Sequence, residues 1–99
     1  MQFLIIAHDH ADEQALTRRM AVREAHIAMI DKLKDAGKVL FGAAILDDQE
    51  KMIGSTIIGD FLSRKELESW LEEEPYVTGR VWKDIEIKKC KVGPSFMSK

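Results

Sequence analysis

The sequence has few of the residues that mark specialised classes of protein. Its 99 residues include one cysteine, Cys90, two prolines and six glycines. A single cysteine excludes an internal disulfide, so we expect a reduced, cytoplasmic protein. With 45% hydrophobic and 32% charged residues, the composition is typical of one globular domain, which we assign to residues 1–99.

An excess of one charge and a long apolar run are also missing. The formal net charge is −2, which predicts no nucleic-acid partner because such a partner requires a basic face. The apolar stretch at the start of the chain is short and has no basic lead, so we expect no signal peptide. No stretch approaches the roughly 18 apolar residues of a membrane span, so we expect no membrane partner.

An alternation of strand and helix patterns is present. The patterns predict strands over 2–8, 38–46, 52–61 and 81–92 and helices over 17–36 and 64–73. The order β-α-β-β-α-β predicts the ferredoxin-like α+β fold, with a four-stranded antiparallel sheet and two helices on one face. Because the first three strands are apolar on both faces, we expect a second copy to cover the bare face in a sheet-to-sheet homodimer.

The first helix carries positive charge toward the inside of the protein. At 100° per residue, the pattern predicts one apolar stripe made of Leu16, Met20, Ile27, Ile30 and Leu33. Arg19, Arg23 and His26 fall within that stripe. Burying charge costs on the order of several kcal/mol unless it is paired or hydrogen-bonded. We therefore expect carboxylates or a ligand beside this helix.

Together these features resemble a known family, the YciI-like or YCII-related proteins of the dimeric α+β barrel group. The matching residues are Asp9 at a strand end, the Arg19-x-x-x-Arg23-x-x-His26 helix, Gly37, Gly42, Gly54-Ser55, Trp70, Glu74-Pro75-Tyr76 and Gly79. The resemblance implies small dimers with a cleft between the sheet and the helices. It also implies an enzymatic site, because a histidine and an aspartate recur in the family.

By position, the family's histidine is His26 and its acidic residue before Pro-Tyr is Glu74, where the family normally has Asp. Glu74 is longer by one methylene, so it reaches the same place only with a shifted backbone or rotamer. Asp9 matches another acidic position and is the alternative partner of His26. Family members usually have proline after Gly42, where this chain has Ala43.

His26 with a carboxylate predicts a general acid–base pair. Arg23, one turn earlier, is suited to hold an anionic substrate. The structural alternative is that Arg23 and His26 only satisfy Asp9, Glu74 and strand-end carbonyls. The other candidates for the cleft are Arg19, His8, Gly42, Ser55 and Tyr76.

His8 and His10 alternate on a strand as metal ligands can. However, the predicted strand ends near residue 9, so His10 lies in a turn, and we predict neither a metal nor a cofactor. The leading hypothesis is cofactor-independent acid–base chemistry of the isomerase, lyase or hydrolase type on a small anionic or carbonyl-bearing molecule. The competing hypothesis is a non-catalytic dimeric module that binds a small ligand or has an accessory role. Under either hypothesis the expected assembly is a homodimer or a higher oligomer.

Overall fold

The computed structural model describes residues 1–97, so the last two residues of the predicted domain, Ser98 and Lys99, lie outside the described part. Its elements in chain order are β1 (Gln2–Asp9), α1 (Ala15–Asp35), β2 (Val39–Leu46), β3 (Met52–Asp60), α2 (Arg64–Leu71), α3 (Pro75–Thr78), β4 (Trp82–Cys90) and a 3-10 turn (Pro94–Phe96). The predicted order of strands and long helices is confirmed. Within residues 1–97, none of the helices combines the length and apolar character that crossing a bilayer requires.

The four strands form one antiparallel sheet in the order β2-β3-β1-β4. This order confirms the ferredoxin-like α+β arrangement. In the central strand β1, Phe3, Ile5 and Ala7 are buried, while Leu4 and Ile6 are half-buried. The core therefore lies on one side of the sheet, where the strands meet buried residues of the helices and of the segments around them: Phe61, Leu67, Trp70, Leu71, Tyr76 and Val81.

Helix α1 packs on the sheet along a different line from the predicted apolar stripe. Leu16, Met20 and Ile27 are 39%, 52% and 38% exposed, so the stripe is wrong at these positions. Instead, the side that faces the sheet contains two polar residues, the buried Arg19 and the half-buried His26, together with Ala15, Val22, Met29 and Leu33. The helix is thus rotated by roughly a quarter turn from the prediction, because polar partners on the other elements receive Arg19 and His26.

Two local backbone features shape the ends of the elements, a bulge in the sheet and a glycine after α1. The register between β1 and β4 shifts between His8 and Asp9, so that Asp9 pairs with Trp82. Such a bulge re-aims the neighbouring side chains, and it leaves the Trp82 side chain buried. The predicted end of α1 is confirmed, since Gly37 has a φ of 76°, the left-handed conformation that favours glycine.

The single-turn helix α3 is held closely against α1. Its N-cap is Glu74, whose side chain accepts the N–H of Tyr76, and Pro75 occupies the first helical position. A Cβ on Gly79 would lie 2.7 Å from the carbonyl oxygen of Pro75 and 3.3 Å from Val22 of α1. The first contact lies within α3 and the second is with α1, so a side chain at residue 79 would crowd both helices. Glycine leaves room for the close packing that brings Glu74 and Tyr76 up to the middle of α1.

Candidate active site

The centre of the site is a contact between α1 and the start of α3. Nδ1 of His26 is hydrogen-bonded to Oε1 of Glu74, and the same oxygen accepts the backbone N–H of Tyr76 at 3.2 Å. The Glu74 side chain is fully buried, whereas the His26 side chain keeps 13% of its surface exposed. Glu74 is therefore the carboxylate partner of His26, despite its extra methylene.

Aromatic side chains fix the plane of the His26 ring. The ring stacks on Tyr76, with centroids 3.8 Å apart and planes inclined by 11°, and meets Trp82 edge-on at 6.1 Å. Burial raises the pKa of Tyr76, and this effect outweighs the opposing influence of the nearby guanidinium groups. The Tyr76 hydroxyl is thus protonated at neutral pH, so it can donate a hydrogen bond but cannot serve as a base.

A second polar network lies beside this pair. Nη1 of Arg19 donates to both carboxylate oxygens of Asp9 at 2.9 Å, and Nη2 donates to Oγ of Ser55 at 2.9 Å. Nε1 of Trp82 donates to the same Ser55 oxygen at 3.2 Å. Asp9 as the partner of His26 is therefore a wrong prediction, because the buried guanidinium of Arg19 engages both of its oxygens. Arg19 also joins the two networks, since its Cζ lies 4.7 Å from the centroid of the Tyr76 ring.

A cleft of about 410 Å³ opens between α1 and strands β2 and β3. Basic side chains of α1 supply part of its lining, namely Arg19, Arg23, His26 and Lys34. The rest is mostly apolar and includes Ile27, Ile30, Val39, Leu40, Phe41, Met52 and Ile57. Among residues 1–97, neither Arg23 nor Lys34 has an ion-pair partner. The cleft therefore suits a small, partly apolar molecule that carries negative charge.

Most of the residues predicted for the cleft line it: Arg19, Arg23, His26, Gly42, Ser55 and Tyr76. His8 does not, and its prediction is wrong. It follows the buried Ala7 in β1, and because strand side chains alternate between faces, it is exposed on the opposite side of the sheet. Within the described residues, His8 and His10 join no group of three or more His, Cys, Asp or Glu side chains arranged to hold a metal.

The sequence reasoning missed two contributors to the site. Lys34 lines the cleft. The sequence could have indicated this, because Lys34 points in nearly the same direction on the helical wheel as Arg23, about three turns earlier. Trp82 contacts His26 and donates to Ser55, whereas its position in a strand pattern predicts only packing. Its placement depends on the bulge between β1 and β4, which no sequence pattern indicates.

Comparisons with known proteins agree with this architecture. A family model described as the YCII-related domain matches residues 1–91. Protein YciI of Escherichia coli O6:H1 is 32% identical over 97 residues, which cover 92% of this chain and 97% of that protein. An uncharacterized protein of Haemophilus influenzae is 30% identical over 97 residues, with the same coverage.

A solved structure is also similar over nearly the whole chain. It is the 5-chloro-2-hydroxyhydroquinone dehydrochlorinase of Burkholderia phenoliruptrix AC1100 in complex with 2,5-dihydroxybenzoquinone. The TM-score is 0.81 at 27% sequence identity, and the match covers 96% of this chain and 98% of that one. The two proteins therefore share their architecture from end to end.

Proposed function

We propose that this chain, which belongs to the YCII-related family, is an enzyme that moves protons within a small acidic substrate without a cofactor. The observation that carries the proposal is the pairing of His26 with a buried carboxylate at the wall of a cationic cleft. Nδ1 of the ring is engaged by Glu74, while the ring itself lines the cleft. Nε2 is therefore the nitrogen available to a bound molecule.

The pairing with Glu74 determines how His26 acts. Because a carboxylate accepts from Nδ1, the neutral imidazole carries its proton there and its lone pair on Nε2. Nε2 takes a proton from an acidic O–H or C–H group of the substrate, and the Glu74 carboxylate stabilises the imidazolium that results. Arg23 binds the negative charge that the substrate carries or develops.

Two outcomes of this proton transfer suit the cleft. In an isomerisation, the imidazolium returns the proton to a different atom of the same molecule. In an elimination, the electrons of the broken C–H bond form a new double bond while a chloride ion leaves with its bonding pair. The similar dehydrochlorinase and its bound quinone support the second outcome, so we favour a hydroxylated, carbonyl-bearing ring as the reacting part of the substrate.

Deuterium exchange tests the proposal even when the product is unknown. A panel of chlorinated hydroxyhydroquinones, hydroxyquinones and small keto acids is incubated with the protein in D₂O. NMR then measures deuterium incorporation at carbon, and an electrode measures released chloride. We expect catalysed exchange or chloride release with at least one class, and a loss of about 100-fold or more in His26→Gln.

The matched control is His8→Gln, since His8 is exposed on the opposite face of the sheet and its loss is expected to leave the rate unchanged. Exchange no faster than in buffer across the panel, or equal rates in His26→Gln and the wild type, would contradict the enzymatic proposal. Ligand-dependent stabilisation without turnover would instead identify a binding module.

We also propose that a second copy covers the sheet face opposite the helices. That face presents Leu4, Ile6 and Ile58, which are half-buried apolar side chains of the two central strands. Glu86 and Lys88 of β4 form an ion pair at 3.1 Å and pair in register with Ile6 and Leu4. An apolar centre beside charges of both signs is complementary to itself, which favours a twofold homodimer.

A further inference from the structure

The cleft extends well beyond the neighbourhood of His26. Arg23 and Lys34 both line it from α1, although they are about three helical turns, or roughly 16 Å, apart along the helix axis. On the opposite side, the lining of β2 runs from Val39 to Ala44, which spans a similar length of roughly 16 Å in an extended strand. The cavity is therefore an elongated groove between a helix and an edge strand.

The side chains between the two cations are apolar. Ile27 and Ile30 lie between Arg23 and Lys34 on α1 and line the same groove. Leu40 and Phe41 of β2 add to its apolar lining. A ligand lying along the groove would thus meet a cation near each end and hydrocarbon in the middle.

Other basic residues of α1 are used differently. Arg19 is neutralised by Asp9, and Arg18 is neutralised by Asp12. Lys32 lines a separate groove toward α2, where the acidic side chains of Glu66 and Glu73 are also found. Among residues 1–97, Arg23 and Lys34 are the cations of this cleft without a carboxylate partner.

From this arrangement we infer that the cleft takes an elongated acid with a second anionic group at the end remote from the reacting head. The head lies beside His26 and Arg23, the apolar body lies along Ile27 and Ile30, and Lys34 binds the distal carboxylate or a similar anion. The role of the head rests on the proposed function. The role of Lys34 as a determinant of substrate length and charge concerns binding and needs no turnover.

A series of unbranched dicarboxylic acids tests the inference. Isothermal titration calorimetry compares the Kd of diacids from butanedioate to dodecanedioate with the Kd of the monocarboxylic acids of equal length. We expect diacid affinity to pass through an optimum at one length and there to exceed that of the monoacid. Lys34→Ala is expected to weaken the optimal diacid about fivefold, as for one solvent-accessible ion pair, and to leave the monoacids unchanged.

Lys32→Ala is the matched control, because it removes the same charge from the same end of α1 but from a different groove. It is expected to leave the diacid preference intact. In Lys34→Glu, ω-amino acids of the optimal length should bind better than the diacids. Equal binding of diacids and monoacids at every length, or equal effects of the two lysine-to-alanine variants, would overturn the inference.

Deuterium exchange with the same acids, carrying an enolisable keto group at one end, distinguishes a failure of this inference from a failure of the proposed function. Lys34-dependent diacid binding without deuterium exchange supports the inference and contradicts the enzymatic role. Exchange that proceeds with equal kcat/KM in the wild type and Lys34→Ala supports the enzymatic role and overturns the inference.

Discussion

At the scale of single residues, the site depends on Glu74. It is fully buried, and one of its oxygens serves both the imidazole of His26 and the N-terminus of α3. Its other oxygen, Oε2, is buried without a hydrogen-bond partner within the described chain. A buried acceptor left without a donor costs about 1–3 kcal/mol, so the Glu74 carboxylate occupies this position at a cost to stability.

The titration of Tyr76 provides a direct test of how closely the site is packed. It is the only tyrosine of the chain, so tyrosinate absorbance near 295 nm reports this side chain alone. Because burial raises its pKa, the folded protein should titrate above the value of about 10 found after unfolding in urea. Identical titration curves for the folded and unfolded protein would contradict the packed, stacked geometry.

The same shift determines a dependence of stability on pH. A pKa raised by folding means that the phenol's contribution to stability is complete below its ordinary pKa of about 10 and is lost as the pH rises through the folded pKa. Stability of the wild type should therefore fall more steeply above about pH 10 than that of Tyr76→Phe. Denaturant titrations of the two proteins at increasing pH measure this difference.

The predictability of the site differs from residue to residue. His26, Arg19 and Arg23 could be found because charged residues in an apolar helical pattern demand partners. The sequence could not decide whether Asp9 or Glu74 is the partner of His26. The answer depends on the bulge between β1 and β4 and on the close approach of α3 at Gly79. Those are three-dimensional contacts between segments far apart in the chain.

At the scale of elements, the Arg19–Asp9 pair joins α1 to β1. Both side chains are buried, with exposures of 3% and 4%. Asp9→Asn leaves the guanidinium uncompensated and is expected to lower the free energy of unfolding by about 3–5 kcal/mol. Urea denaturation measures the loss. Asp12→Asn, which breaks the more exposed pair with Arg18, is the control and should lower the free energy of unfolding far less, because water screens an exposed ion pair.

The double variant Asp9→Asn with Arg19→Met provides the decisive comparison for this pair. Removing both charges removes the uncompensated cation, so the double variant should be more stable than Asp9→Asn alone. Strictly additive losses would show that the pair does not act as a unit.

The elements themselves were predictable, but their rotation was not. Alternating and helical patterns located each strand and long helix, and in the structure Ser63 caps α2 by accepting the N–H of Glu66 at 3.1 Å. The orientation of α1 could not be obtained from apolar residues alone, since its buried line includes Arg19 and His26. Hydrophobic periodicity fails where a polar network replaces part of the core.

At the scale of the whole molecule, the sheet face opposite the helices determines the oligomeric state that we propose. Ile58→Asp places a charge on that face and should shift the protein from dimer toward monomer in sedimentation velocity. Leu62→Asp is the control, because Leu62 is 83% exposed just before α2 and its substitution should leave the dimer intact. A wild-type monomer at all concentrations would contradict the homodimer.

The central claim is that His26 presents a free Nε2 to the cleft while Glu74 holds Nδ1. A long-range ¹H–¹⁵N correlation spectrum of the three histidines, with His26 assigned by its absence in His26→Gln, tests this claim directly. We predict that neutral His26 carries its proton on Nδ1, and that a bound diacid moves the Nε2 resonance in the wild type. A neutral His26 protonated on Nε2, with no response to any acid that binds, would contradict the account.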